Sequence, residues 1–275
     1  MPNWVRNRIE FSGKQEDINK VLNVVKGDNG DFDFNKLIPM PESLNLTSGG
    51  YQNEAIVYAL QKKPQDEREE IIQKLKQTHA GFYGNYYLKA TKYVDTERIV
   101  RAKENFEKEL NEDDKTLFRD VDYEKLRIKS FEDLGNVYLN NILEYGYDTW
   151  YDWRCDNWGT KWNACDVYVG GDIIEFNTAW SCPLPVLNQL AELCYKHSVE
   201  FTGKWADEDM GCNTGIFESD CCSDEYYFGY EYMENCSNEA YEIYVELNGE
   251  NDCIGQDEDG NWVHYNCDDC PNLCC

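Results

Sequence analysis

The chain has 275 residues, 41% hydrophobic and 14% aromatic. That is too apolar for a wholly disordered polypeptide and enough to build one large domain or two smaller ones. The formal net charge is −27, a field that repels nucleic acid and anionic membrane and draws basic surfaces in. No apolar run approaches the roughly 20 residues of a membrane-spanning helix. The opening Met1-Pro2-Asn3-Trp4-Val5-Arg6-Asn7 lacks the apolar core and cleavage site of a signal peptide, so a soluble, cytosolic protein is expected.

Residues 4–12 alternate, with Val5, Ile9 and Phe11 on one face and Arg6, Arg8 and Glu10 on the other. That is the pattern of a half-buried strand. After the Ser12-Gly13 turn, Ile18, Val21, Leu22 and Val25 recur at helical spacing over 15–26, and Gly27 with Asp28-Asn29-Gly30-Asp31 stops the helix. Residues 32–38 read as a short extended segment, ended by Pro39-Met40-Pro41. From 53 to 147 the pattern is helical. One segment around Ala55, Val57, Tyr58 and Leu60 breaks at Pro64, and another carries Ile71, Ile72 and Leu75. Residues 83–93 are aromatic and ambiguous. A helix over 96–110 has Thr96 as its cap and Ile99, Val100 and Phe106 along one side, and a helix over 130–145 opens with Ser130-Phe131-Glu132-Asp133. This stretch of about a hundred residues is an insertion, longer than any ordinary connection.

Strands over 163–169 and 172–180 follow, joined by the hairpin signal Gly170-Gly171-Asp172, with Ile174, Phe176, Thr178 and Trp180 sharing a face. After Pro183 and Pro185, an amphipathic helix over 185–197 carries Val186, Leu187, Leu190, Leu193 and Cys194, and a strand runs over 199–205. Beyond Trp205, residues 211–218 and 226–233 read as strands, 239–247 fits helix or strand, and Asp259-Gly260-Asn261 marks a hairpin. The pieces give a βαββαβ order, the split ferredoxin-like α+β fold, with four antiparallel strands and both helices on one face. The expected organisation is a discontinuous ferredoxin-like domain at 1–40 and 157–210, a helical insertion at 41–156, and an acidic Cys-rich extension at 211–275.

Charge and cysteine are both uneven. Residues 1–150 hold 22 basic and 27 acidic side chains, whereas residues 151–275 hold 26 acidic and only 4 basic, Arg154, Lys161, Lys196 and Lys204. Plain solubility is the competing reading of that acidity. All 13 cysteines lie between Cys155 and Cys275, and an odd number without a signal peptide argues against a disulfide scaffold. Cys267, Cys270, Cys274 and Cys275 could close a structural zinc site, with Cys212, Cys253 or the Cys221-Cys222 pair as substitutes, or remain free or partly oxidised thiols. Acidic surroundings raise thiol pKa and oppose a redox role for the CxxC.

His79, His197 and His264 are scattered, without the spacing of a catalytic or metal motif. Acidic loops such as Asp207-Glu208-Asp209 could hold a divalent cation, but such loops normally solvate themselves. Trp158, Trp162, Trp180 and Trp205 could stack bases as RNA-binding sheets do, but those sheets are basic. Packing of the sheet against the insertion is the expected use of these rings.

Met1-Pro2-Asn3-Trp4, Ile38-Pro39-Met40-Pro41, the block Asn157-Trp158-Gly159-Thr160-Lys161-Trp162-Asn163-Ala164, and Phe176-Asn177-Thr178-Ala179-Trp180 together resemble the Api92-like proteins. The resemblance covers the first ~40 residues and 157–205; the insertion and everything after Trp205 depart from the compact members. It implies a ferredoxin-like domain and an accessory protein of a phage or conjugative plasmid, made inside a bacterial host cell. It brings no catalytic residues.

The expectation is therefore a non-catalytic, cytoplasmic protein that binds a basic host protein, with no direct nucleic-acid or membrane partner. Its contacts would come from Asp207, Glu208, Asp209, Glu218, Asp220, Asp224, Glu225, Asp257, Glu258 and Asp259. The concrete version is an inhibitor of a nucleic-acid-binding antiviral effector, anti-CRISPR-like and partly mimicking nucleic acid. The alternatives are a metal-dependent phosphodiesterase, a thiol oxidoreductase, or a zinc-stabilised interaction module.

Overall fold

The computed structural model describes residues 3–28, 31–77, 96–111, 121–221, 225–250 and 253–265. In chain order these form β1 (Trp4–Ser12), α1 (Gln15–Val25), α2 (Gln52–Lys62), α3 (Gln65–Leu75), α4 (Thr96–Asn111), α5 (Phe131–Tyr145) and α6 (Trp150–Asn157). There follow β2 (Cys165–Gly170), β3 (Ile173–Ala179), α7 (Leu184–Lys196), β4 (Glu200–Asp207), β5 (Gly215–Asp220), β6 (Tyr227–Tyr232), α8 (Asn238–Asn248), β7 (Ile254–Gln256) and β8 (Trp262–His264). The chain divides into two compact units, one of residues 1–39 and 154–275, the other of residues 40–153.

In the first unit, an antiparallel sheet runs in the order β2-β3-β1-β4-β5-β6. The first four strands are the ferredoxin-like order, with β1 from the far end of the sequence between β3 and β4. Arg8 of β1 sits opposite Glu175 of β3 on one side and Lys204 of β4 on the other. Strand alternation places Val5, Ile9 and Phe11 with Ile174, Phe176 and Phe201 on the buried face. Ile18, Val21 and Val25 of α1 and Val186, Leu187 and Leu190 of α7 are buried with them. Each large apolar side chain so buried contributes about 1.5–3 kcal/mol.

The expected four-stranded sheet is in fact six-stranded. Trp205 of β4 stacks on Phe217 of β5 with ring centres 6.2 Å apart and planes 9° apart. Gly215 makes that stack possible, because a Cβ there would collide with the Trp205 ring. The strands after Trp205 thus continue the same core, and 211–233 is no separate extension.

Two other expectations change, and the open reading of 239–247 is resolved. In residues 32–38 only Phe32 makes a strand bridge, to Lys26. Phe34–Lys36 is a turn of 3-10 helix, because the Asp33 carboxylate accepts the Asn35 N–H at 3.0 Å and caps it. Trp180 leaves the strand alternation with φ at 73° and is exposed. Residues 239–247 are helical: Ser237 caps α8 by accepting the Ala240 N–H at 3.1 Å, and Ala240, Tyr241, Ile243, Tyr244 and Leu247 form its buried stripe.

The second unit is helical, around Leu46, Ile56, Leu60, Leu75, Phe106, Phe131, Leu139 and Ile142. Helices α2 and α5 approach closely at Gly135, where a Cβ would strike the Ala55 carbonyl. The expected start of α5 is present: Ser130 Oγ accepts the Asp133 N–H and Asp133 Oδ2 accepts the Lys129 N–H, each at 3.1 Å. Two buried polar groups are satisfied within the unit, with Tyr138 donating to the Thr47 carbonyl at 2.9 Å and Asn141 Nδ2 to the Ser43 carbonyl at 2.7 Å.

Candidate partner-binding surface

The second face of the sheet carries the charge. On β1 and β3 that charge is neutralised in place: Arg6 reaches Glu175 at 3.3 Å, and Arg8 reaches Glu10 at 2.8 Å and Glu175 at 3.6 Å. Over the end of β4 the face is covered by α8, whose Tyr241, Ile243, Tyr244 and Leu247 pack with Ala206 and with Ile254 of β7. Lys204 contacts Glu246 of α8. No Lys or Arg follows it, whereas Trp205 to Cys275 contains 19 Asp and Glu residues.

The expected partner-binding residues fall into three groups. Glu218 and Asp220 of β5 and Glu225, just before β6, come together on one hairpin, with Glu218 opposite Gly229 and Asp220 opposite Tyr227. Glu208 and Asp209 are exposed on the β4–β5 loop. Asp257, Glu258 and Asp259 are exposed at the β7–β8 turn, where Asp257 Oδ1 accepts the Asn261 and Asp259 N–H groups, each at 2.9 Å. Those bonds, the Asn261 N–H foremost, hold the Asp257 carboxyl below its ordinary pKa.

Asp207 is not a surface residue. It is 5% exposed, and its carboxylate accepts the Asp209 N–H at 2.9 Å, Asn213 Nδ2 at 3.0 Å and Asn3 Nδ2 at 3.3 Å. Its charge shapes the β4–β5 loop from inside and is unavailable to a partner. Asp224 and the four tail cysteines Cys267, Cys270, Cys274 and Cys275 lie outside the described residues.

Several carboxylates of the same surface were not singled out from sequence. Glu231 of β6 sits opposite Ile216 on the face that holds Glu218, and Glu239, Glu242 and Glu246 line the exposed side of α8. The signal for Glu231 lies in the alternation of Tyr227-Phe228-Gly229-Tyr230-Glu231-Tyr232, which puts it on the face of Tyr227. The α8 signal needs the helical reading of 239–247, where those three glutamates recur at i, i+3 and i+7.

Cysteine and tryptophan are the other candidate groups. Among the described residues Cys165, Cys182, Cys194, Cys212 and Cys236 are free thiols, whereas Cys253 is disulfide-bonded, which removes it as a substitute zinc ligand. Burial pushes the Cys182 and Cys194 thiols well up. Partial burial, with Asp209 adding, pushes Cys212 up to about 11. Among the described residues no three His, Cys, Asp or Glu side chains are grouped to hold a metal ion.

Trp158 packs edge-on against Phe34 with centroids 5.7 Å apart and donates to the Ile38 carbonyl at 2.9 Å. Lys161 lies over Trp162 at 4.9 Å and over Trp180 at 5.0 Å. That ammonium takes up ring faces that a stacked base would use.

Residues 157–252 match a family model described as "Ferredoxin-like domain in Api92-like protein". The match starts at the Asn157 block and runs through β2, β3, α7, β4, β5, β6 and α8. Residues 206–252, expected to depart from that family, therefore lie inside the matched range, and the first 40 lie outside it. A second family model, Enkurin, described as calmodulin-binding, matches residues 14–118. No curated protein matches the chain.

A solved structure, protein api92 from Yersinia pseudotuberculosis, of the family model DUF1281, aligns at a TM-score of 0.34 and 11% identity. It covers 85% of this chain and 99% of that one, a likeness too distant to inform the fold. Among the described residues no helix is long and apolar enough to cross a membrane. Residues 157–252 are thus similar to the ferredoxin-like domain in Api92-like protein, and β1 supplies the strand that completes its four-stranded core.

Proposed function

We propose that this chain is a non-catalytic accessory protein of a mobile genetic element that acts in the cytoplasm of a bacterial host by binding a basic host protein. Its most concrete form is an anti-CRISPR-like inhibitor that occupies the nucleic-acid-binding surface of an antiviral effector as a partial nucleic-acid mimic. One observation supports this above the others: β5, β6, α8 and the β7–β8 turn present exposed carboxylates in a stretch without a single Lys or Arg. Such a field raises the on-rate for a basic partner and repels nucleic acid itself. The likeness to Api92-like protein supports the mobile-element origin. The second likeness, to a family described as calmodulin-binding, supports a protein partner.

Burial and raised thiols count against Cys182, Cys194 and Cys212 as nucleophiles, and the CxxC of Cys267 and Cys270 lies outside the described residues. A zinc-stabilised module remains separable by metal analysis of the purified chain.

The test is competition with duplex DNA for a purified basic effector nuclease. The chain displaces the duplex, and its own affinity falls at least about tenfold between roughly 0.1 and 0.5 M salt. No displacement, or a complex unchanged at about 1 M salt, contradicts the reading.

A further inference from the structure

Strand β6 ends the sheet, and among the described residues nothing pairs with its outer side. The Met233 N–H bonds the Thr214 carbonyl at 2.9 Å, so Met233 faces β5. In an antiparallel ladder the residues that exchange hydrogen bonds alternate. Glu231, Gly229 and Tyr227 therefore also face β5, and the N–H and C=O groups of Phe228, Tyr230 and Tyr232 point outward.

The other edge, β2, is guarded. Its pairing slips between Cys165 and Tyr168, and Asp166 has φ at 49°, a bulge that twists the edge away. Strand β6 has no bulge across its six pairs with β5, and it contains no Pro and no Lys. It also shows large apolar rings to solvent, with Tyr230 55% and Tyr232 53% exposed.

Beside this edge, on the second face of the sheet, lies a groove of about 480 Å³ bordered by Lys204, Ile216, Glu218, Tyr227, Glu231 and Glu246. The Tyr227 ring lies over Gly229, where a Cβ would strike it. With Ile216 it makes an apolar floor on which an aliphatic stem can lie. Lys204 is committed to Glu246. Among the described residues Glu218 and Glu231 have no cationic partner.

We propose that β6 is an acceptor edge, to which the basic partner adds an extended Lys- or Arg-bearing segment as a seventh strand. Every second side chain of that segment enters the groove, with its stem on Ile216 and Tyr227 and its cation at Glu218 and Glu231. Main-chain bonds to Phe228, Tyr230 and Tyr232 supply affinity, and the two carboxylates with the Tyr227 ring face supply selectivity for a cation. A second copy of this chain is a poor occupant, because β6 against β6 brings Glu231 and its acidic surroundings onto themselves in molecules that each carry −27. This inference rests on the proposal that the partner is a basic protein.

The test uses the full chain and a seven-residue peptide of alternating Lys and Thr, followed by fluorescence titration and backbone amide shifts. The peptide binds with its largest shifts at Phe228, Tyr230 and Tyr232, and N-methylation of alternate peptide nitrogens weakens it at least about tenfold. Glu218→Gln with Glu231→Gln weakens it several-fold, and a Glu-Thr peptide does not bind. Tyr230→Pro removes an N–H that no described residue uses, and it abolishes binding while amide exchange elsewhere in the sheet is retained. An N-methylated peptide that binds equally well, or shifts centred away from β6, overturns the acceptor edge and leaves the basic-partner reading standing. Failure of the Lys-Thr peptide and of the basic nuclease alike overturns both.

Discussion

On β1 and β3 the charged face of the sheet is neutralised by the chain itself, with Arg6 and Arg8 held against Glu175 and Glu10. On β5 and β6, which extend the same face, Glu218 and Glu231 stand among the described residues without a cation, beside the half-exposed Tyr227 ring. The other face shows the same contrast, since Ile174 and Phe176 of β3 are fully buried while Tyr230 and Tyr232 of β6 are not. Both ends obey one strand alternation, so the difference does not come from folding alone. A sheet does not need an unguarded acidic, aromatic edge for stability. It carries one at a cost in aggregation risk unless something binds there.

Substitutions can break this contrast. Phe176→Ala empties a fully buried site and costs about 3–5 kcal/mol in denaturant unfolding, whereas Tyr230→Ala costs about 1 kcal/mol or less. Equal losses would mean that the β6 end is core after all. Glu218→Lys with Glu231→Lys lowers affinity for the basic effector at least about tenfold and leaves the midpoint of unfolding nearly unchanged, because exposed unpaired carboxylates do little for stability.

Smaller effects sharpen the picture away from that edge. In the native chain at about pH 7.5 iodoacetamide labels the exposed Cys236 and spares the buried Cys182 and Cys194, as peptide mass mapping would show. Asp148 tests the helical unit. Burial, with the Asp152 charge adding, raises its carboxyl above the ordinary value, and Gln52 Nε2 donates to it. A raised carboxyl favours the folded state only below the unfolded pKa near 3.9, and that contribution is lost as pH climbs through the folded value. Asp148→Asn is therefore more stable than the parent at neutral pH, by on the order of 2 °C in a thermal melt, with the gap closing near about pH 3.

The ferredoxin-like core was legible because each element announces itself in a period. Val5-Ile9-Phe11 alternates, Ile18-Val21-Val25 recurs at helical spacing, and the Gly170-Gly171-Asp172 turn separates two strands. The continuation of the sheet was less so. Nothing local in Gly215-Ile216-Phe217 says that it will pair with β4, since that depends on Gly215 leaving room for the Trp205 ring.

Residues 239–247 alternate in polarity as well as any strand, and only the Ser237 cap and the tertiary contact with Ala206 and Ile254 decide for helix. Of the acidic set, charge alone gives the acidic region but not which of its members are exposed. Asp207 looked identical to Glu208 and Asp209 in sequence, and it is turned inward because three donors converge on it. Glu231 sits among tyrosines, where a scan for acidic runs does not stop.

The most direct test is a hydrogen-exchange footprint of the full chain with and without a bound basic nucleic-acid-binding effector. Slowed exchange across β5, β6 and α8, strongest at Phe228, Tyr230 and Tyr232, is the predicted result. Protection confined to residues 40–153, or none at β5 and β6, would contradict the account.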